Sequence, residues 1–329
     1  MFRFEELQNA VADNFKRKKG IRLFNVFPLD CIPIETLKSW TFKPTCMPLQ
    51  YQTQAEAFAN FKVREDDIWI VTYPKCGTTW AQEMTWMLVN DMNFDEANSV
   101  DLTERSIFFE VEGIAPTDKC EVLELLNKQK SPRVIKTHLP IGLLPRDIWL
   151  KKCKIMYVTR DPKDMIVSYY HQMNNIVSCN MSIEEFVECI LTDNMIYSSF
   201  WNHVLEFWLI RNKFNVLFFT YEDMKRDLEG IIGKTSTFLE KDYNAKQISL
   251  LMEHLSFKNM KATPTCNNES LVKMIYSAYK LEYDEKTAFK FMRKGLIGEH
   301  KKELTPYCIV RINAKTKEMF EPYGLNLYT

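Results

Sequence analysis

Four short apolar runs constrain this chain most: DIWIVTY from Asp67, RVIKT from Arg133, KIMYVT from Lys154 and NVLFFTY from Asn215. Each is rich in branched residues and bounded by polar residues or proline. Sequence of helical period, such as WAQEMTWMLV, SIEEFVECIL and FWNHVLEFWLI, lies between them. Short buried strands alternating with helices predict an α/β fold, a central parallel β-sheet flanked by helices on both faces. Ligands of such sheets bind beyond the carboxyl ends of the strands.

At 329 residues, 46% of them hydrophobic, the chain has enough apolar material for one α/β domain spanning residues 1–329. It shows no internal repeat, low-complexity tract or glycine- or serine-rich linker. Pro28, Pro33, Pro44 and Pro48 crowd the first 50 residues, which are expected to form an irregular arm. Residues 263–283, TPTCNNESLVKMIYSAYKLEY, start without clear periodicity and read as a long loop, a candidate lid.

The 43 basic and 43 acidic residues cancel, which argues against a chain that coats nucleic acid or an acidic membrane. A basic site must therefore be local. Nine cysteines stand singly, at 31, 46, 76, 120, 153, 179, 189, 266 and 308, with no CxxC pair. That spacing argues against a zinc or dithiol centre and fits free thiols in a reducing compartment. The charged N-terminus lacks an apolar signal core, and no apolar run nears the roughly 18 residues of a membrane span. A cytoplasmic protein is expected.

One loop stands out. TYPKCGTTW, from Thr72 to Trp80, joins the first run to a helix and offers Lys75, Gly77, Thr78 and Thr79 to an anion. It departs from the Walker form, because Lys75 precedes Gly77, whereas GxxxxGK[ST] places the lysine after the last glycine. Asp161 would be the magnesium ligand of that reading, but Arg160 precedes it and would compete for the phosphate. Nucleoside triphosphate with magnesium is therefore a weak fit.

A second group sharpens the choice. YVTRDPKDMIVSYYHQ places Arg160 at a strand end and Ser168 on the next helix, a planar fork and a hydroxyl for a phosphate. A third, FMRKGLIGEHK from Phe291, supplies Arg293, Lys294 and Gly295 as a short basic clamp. Two phosphate sites without a magnesium site imply a nucleotide phosphorylated at two places.

YPKCGTTW, KTHLP, YVTRDPKDMIVSYYH, YEDMKRD, SFKNMK and FMRKGLIGEHK resemble, in this order, the signature segments of the cytosolic sulfotransferases. The likeness runs from about Trp40 to about Thr305, most of the chain, in a family that has an insect retinol-dehydrating branch. It implies a P-loop-like sulfotransferase fold and use of 3′-phosphoadenosine-5′-phosphosulfate (PAPS) without a metal. A sulfuryl group would pass to a hydroxyl or amine, leaving 3′,5′-adenosine bisphosphate (PAP).

The same resemblance implies residue roles. Lys75, Cys76, Gly77, Thr78, Thr79 and Trp80 would hold the 5′-phosphate, with Trp80 near adenine. Arg160, Ser168 and the segment Phe291, Met292, Arg293, Lys294, Gly295 would hold the 3′-phosphate. Tyr221, Phe257 and Met260 would contact the base. His138 would be the general base, Lys136 would steady the transferring group, and Lys75 would neutralise the leaving phosphate. Tyr51, Phe108 and Val111, with Lys136 and His138, would line the site of a small apolar alcohol or phenol. His171, His203, His254 and His300 match no catalytic position and are expected to be solvated or structural.

Several departures from the family pattern bear on affinity. Cys76 replaces a serine, Leu255 stands where threonine is frequent, and GEHK replaces Gly-Asp-Trp-Lys, putting His300 in the aromatic position. Beside Lys75 and at a helix N-terminus, the Cys76 thiolate is expected to be favoured. The family's C-terminal dimer motif survives only as Lys301 and Thr305, with Pro306 and Val310 at later positions, so that dimer is in question. Two alternatives stand beside transfer: sulfation followed by elimination, and ligand binding without turnover.

Overall fold

The computed structural model describes residues 2–29, 34–115, 121–177, 180–279, 281–285 and 288–326. The N-terminal segment is a folded unit and not the expected irregular arm. Strands β1 (Phe2–Glu6), β2 (Leu23–Pro28) and β3 (Thr45–Pro48) pair antiparallel in that order, with a helix at Ala10–Lys19. Pro48 lies on the edge strand β3, and Pro28 ends β2 beyond its pairing with β3, which stops at Val26. The unit is tied to the body: Asn9 Nδ2 donates to Asn194 Oδ1 at 2.9 Å.

All four runs of the sequence become strands: β4 (Ile68–Thr72), β5 (Val134–Thr137), β6 (Lys154–Thr159) and β7 (Val216–Thr220). They form one parallel sheet in the order β5–β4–β6–β7. Alternation divides them between two cores. Ile68 and Ile70 of β4 pack with Val134, Met156 and the helix Thr78–Val89. Trp69 and Val71 pack on the opposite face with Ile135, Tyr157 and the helices Pro162–Gln172 and Phe200–Ile210. Both faces are covered, so the strands are apolar throughout. At the sheet's amino end, Arg133 meets Asp67 through a buried two-point pair at 2.7 and 2.5 Å, which sets β5 beside β4.

The expected loop at 263–283 holds a helix, Glu269–Ala278. Its Leu271, Val272 and Tyr276 are buried, and Leu271, Ile275 and Tyr279 face the pocket described below. The polar, proline-bearing opening hid this apolar stripe. Lys280, Lys286 and Thr287 lie outside the described residues. Six cysteines (46, 76, 153, 189, 266 and 308) are free and buried; Cys31, Cys120 and Cys179 lie outside the described residues. Among the described residues no helix is long and apolar enough to cross a membrane.

Candidate active site

The parallel sheet delivers four chemically useful residues to one end. His138 follows β5, Arg160 follows β6, Tyr221 follows β7, and Lys75 lies three residues beyond β4. Lys136, within β5, pairs in register with Ile70. Because β4 has β5 on one side and β6 on the other, the connections diverge around it. The loop of Lys75 therefore sits at the switch point of the sheet.

His138 is 8% exposed and held from several sides. Its Nδ1 lies 2.8 Å from the carbonyl oxygen of Thr72. A carbonyl only accepts, so Nδ1 carries the hydrogen and Nε2 is left as the basic nitrogen. The Thr72 hydroxyl lies 3.1 Å from Nδ1 and 2.7 Å from the Thr78 hydroxyl, linking the histidine to the anion loop. Phe108 and Tyr197 stand edge-on to the ring at 5.2 and 5.4 Å. Burial, then the charge of Lys136, holds the imidazole well below its usual range, so it is neutral and able to take a proton.

Lys75 has φ 68°, and Gly77, with φ 100°, begins the helix Thr78–Val89. A Cβ on Gly77 would come within 2.8 Å of the Tyr221 ring, so only glycine fits that approach. Burial, followed by the charges of Lys136, Arg160 and Arg293, brings the Lys75 ammonium down to about 7. Burial also lowers Lys136, to about 8. Cations crowded this closely form a site that gains from an anion.

Arg160 lies over the Tyr221 ring at 4.4 Å and donates to Leu296 O at 2.9 Å, while its Nε is buried without a partner. Trp80, 5.6 Å from the Tyr221 ring, also buries an unpartnered Nε1. Gly295 has φ 65°, and a Cβ there would come within 2.3 Å of Phe257. The backbone of the basic clamp thus presses on the aromatic ring expected beside a base. Arg293 meets Glu303 at 2.9 Å, and Lys294 pairs with Glu299.

The clamp has an anchor that the sequence reading missed. The Asp164 carboxylate accepts from the backbone N–H groups of Gly298 and His300 at 2.6 and 3.1 Å, and lies 2.7 Å from His300 Nδ1. Burial opposes its charge, but those hydrogen bonds hold it down to about 2. His300 is therefore structural. The other non-catalytic histidines are likewise engaged: His171 with Glu303, His203 with Tyr157, and His254 with Glu83.

One pocket joins these parts. Lys75, Gly77, Thr78, Thr79, Trp80, Arg160, Ser168, Tyr221, Phe257, Met260, Phe291, Met292, Arg293, Lys294 and Gly295 border it, as do Lys136, His138, Phe108 and Val111. Two expected residues do not. Tyr51 is buried behind the wall, stacked on Phe58 at 5.7 Å and against Gly113. Cys76 is fully buried with its Sγ 3.8 Å from Pro74 O, and burial raises its thiol. The favoured thiolate is thus overturned: desolvation outweighs the nearby charge of Arg160. Beyond the expected residues, the wall includes Ile114, Met173, Ile176 and Ile275. Met173 and Ile176 belong to a π-helical turn, Met173–Val177, a feature no local pattern announces.

Two neighbours bind the halves of the pocket together. Asn268 Nδ2 donates to the Thr79 hydroxyl at 2.6 Å, tying the helix Glu269–Ala278 to the anion loop. The Tyr279 hydroxyl approaches Ile114 O at 3.5 Å, and both residues line the pocket. Among the described residues no three His, Cys, Asp or Glu side chains are grouped so as to hold a metal ion.

Comparison with known proteins agrees with this geometry. The sulfotransferase domain family matches residues 65–324. Luciferin sulfotransferase of Photinus pyralis is 35% identical over 289 residues, covering 83% of this chain and 77% of its own. Sulfotransferase 1B1 of Canis lupus familiaris is 36% identical over 252 residues, 76% of this chain and 82% of its own. Among solved structures, retinol dehydratase in complex with retinol and PAP superposes with a TM-score of 0.83. That match is 24% identical and covers 99% of this chain and 98% of the other, a likeness of fold. A mouse sulfotransferase complexed with PAP gives a TM-score of 0.65 at 26% identity, over 84% of this chain and 93% of the other. A matched domain across most of the sheet and site, with relatives above a third identical over three quarters of the chain, settles the assignment: the protein belongs to the cytosolic sulfotransferase family.

Proposed function

We propose that this enzyme transfers the sulfuryl group of PAPS to the hydroxyl of a small apolar acceptor, with His138 as general base and no metal. One observation carries the reading: a neutral histidine and a crowd of cations open into one pocket whose wall is otherwise largely apolar. Buried, unpartnered donors on Arg160 and Trp80, and two glycine contacts that admit no Cβ, suit a nucleotide laid between basic clamp and aromatic rings. When bound, PAPS supplies the activated sulfuryl group.

In this reading the loop Lys75, Cys76, Gly77, Thr78, Thr79, Trp80 holds the 5′-phosphate, Cys76 acting through its backbone alone. Arg160, Ser168 and Phe291–Gly295 hold the 3′-phosphate, while Tyr221, Phe257, Met260 and Trp80 enclose the base. His138 Nε2 draws the proton from the acceptor hydroxyl, and the Thr72 carbonyl steadies the imidazolium that results. Lys75 and Lys136 offset the negative charge that moves between acceptor and leaving oxygens; such positioned charge is the main lever in transfers of this kind. Phe108, Val111, Ile114 and Ile275 offer the acceptor no charge, favouring flat or extended apolar alcohols and phenols.

The test is product mass spectrometry over phenols, sterols and retinoids with PAPS and chelator present. A mass gain of one sulfuryl group supports transfer. Loss of water instead identifies sulfation followed by elimination, and no turnover with tight PAP binding identifies a binding protein.

A further inference from the structure

Glu110 is a fully buried carboxylate that none of the family motifs includes. Its Oε1 accepts the backbone N–H of His138 at 2.7 Å and the hydroxyl of Tyr197 at 3.0 Å. Its Oε2 accepts the hydroxyl of Thr137 at 2.7 Å, and Thr137 Oγ1 accepts from Leu139 N at 3.1 Å. One side chain therefore sets the three residues around the turn that carries the base. Tyr197 is also one of the two rings standing edge-on to the imidazole. Glu110 thus acts on His138 twice, through its backbone and through a wall of its ring.

The segment bearing Glu110 is itself registered to β5: Phe109 N donates to Lys136 O at 2.8 Å, and Lys136 N to Ile107 O at 2.9 Å. From the other side His203 donates from Nε2 to His138 O at 3.1 Å, and Glu206 accepts from Ile141 N at 3.0 Å. The turn is gripped on both faces by buried ionisable groups. Burial raises the Glu110 carboxyl to about 7, and the three donors that converge on it only partly offset that cost. An apolar residue would pack as well and would leave the His138 N–H without a partner.

We propose that Glu110 is a positioning residue for His138, fixing the turn and the Tyr197 wall so that Nε2 meets the acceptor hydroxyl. The proposal rests on the reading of His138 as the base. Catalytic groups must be held within a fraction of an ångström, and displacement of a correctly protonated base slows proton transfer without touching nucleotide affinity.

The test is a double-mutant cycle with Glu110→Ala, Glu110→Asp and Glu110→Gln, each made alone and with His138→Ala, on the full chain. Glu110→Ala should lower kcat by about tenfold or more while the Kd for PAP stays within about twofold. Glu110→Asp, which withdraws the carboxylate by one methylene, should lose about fivefold and serves if the alanine variant does not fold. Glu110→Gln should recover most of the rate, because its oxygen can accept from His138 and Tyr197 while its NH2 donates to Thr137 Oγ1. In the His138→Ala background the Glu110 substitutions should cost nothing further. An equal loss in both backgrounds, or full activity in Glu110→Asp and Glu110→Ala, overturns the proposal and leaves His138 as the base. Full activity in His138→Ala alone overturns the base and the positioning role together.

Discussion

The ammonium of Lys75 lies 3.8 Å over the centre of the Phe291 ring, so the anion loop and the basic clamp touch before any ligand arrives. A cation on an aromatic face gains about 0.5–2 kcal/mol, which only partly offsets the cost of burial and of three neighbouring cations. That cost brings Lys75 to about 7. The nucleotide's negative charge should restore the proton. Above pH 7 the affinity for PAP should therefore fall by up to about tenfold per pH unit, and binding should take up protons. Calorimetry at pH 8 in buffers of differing ionisation enthalpy reads that uptake directly. Lys75→Met should bind more weakly, lose most of the uptake and flatten the pH dependence; unchanged uptake would show that another group titrates.

The same lysine affects stability. Its folded pKa lies below its unfolded value, so the unfolded state binds more protons across the window from about 7 to 10.5. Its penalty on the fold is complete below about 7 and disappears as pH rises through that window. Lys75→Met should accordingly raise the Tm of the ligand-free protein at pH 7, and less so at pH 10. A Tm difference that does not change with pH would assign the effect to packing instead.

Cys76 should resist alkylation in the native protein. A thiolate at a helix N-terminus beside a lysine gains from dipole and charge, but this sulfur has no solvent contact and its pKa is raised by burial. Iodoacetamide at pH 8 should leave it unmodified with or without PAP, as peptide mapping will show. Cys76→Ser should keep PAP affinity within about threefold, since only the backbone of this residue can serve the ligand. Rapid labelling of Cys76 that PAP blocks would return the thiol to the site.

What the sequence revealed and what it concealed divide along a physical line. The strands were legible because a sheet covered on both faces demands apolar runs, and the candidate site could be proposed because the residues assigned to it sit at or just beyond strand ends. Lys75, His138, Arg160 and Tyr221 are all such positions. Tyr51 was misplaced because an aromatic residue near the pocket wall and one just behind it look alike in sequence. Cys76 was misjudged because neighbours along the chain reveal charge but not desolvation. Glu110, Asp164 and Asn268 were missed because each acts on a residue at least 28 positions away. The helix Glu269–Ala278 did carry a signal, the apolar spacing Leu271, Ile275, Tyr279, which its polar opening obscured.

Asp164 should control recognition of the 3′-phosphate. It joins the helix after β6 to the backbone of Gly298 and His300, just beyond the clamp Arg293–Gly295. Asp164→Ala should weaken PAP by about tenfold and leave adenosine 5′-phosphate nearly unaffected, because the anion loop is untouched. Its depressed pKa adds stability that is present above the usual carboxylate value and lost as pH falls towards about 2. The wild type should therefore lose more stability on acidification than Asp164→Asn. Equal losses of the two nucleotides would show that Asp164 supports the whole fold and not the clamp.

His138→Ala supplies the decisive kinetic contrast. Its Nδ1 is committed to Thr72 O, so Nε2 alone can take the acceptor's proton. The variant should keep PAP affinity within about twofold and lose turnover by roughly a hundredfold, the usual worth of a positioned base. Lys75→Ala should instead weaken binding and slow transfer together, because its charge meets the donor before and during bond breaking. Acceptor acidity separates base from bystander. A phenol of low pKa arrives largely ionised and needs little help, so its rate should suffer least in His138→Ala. An aliphatic alcohol keeps its proton until the transition state and should suffer most. A plot of log kcat against acceptor pKa should be steeper for the variant than for the wild type. Parallel lines would mean that His138 shapes the pocket and takes no proton.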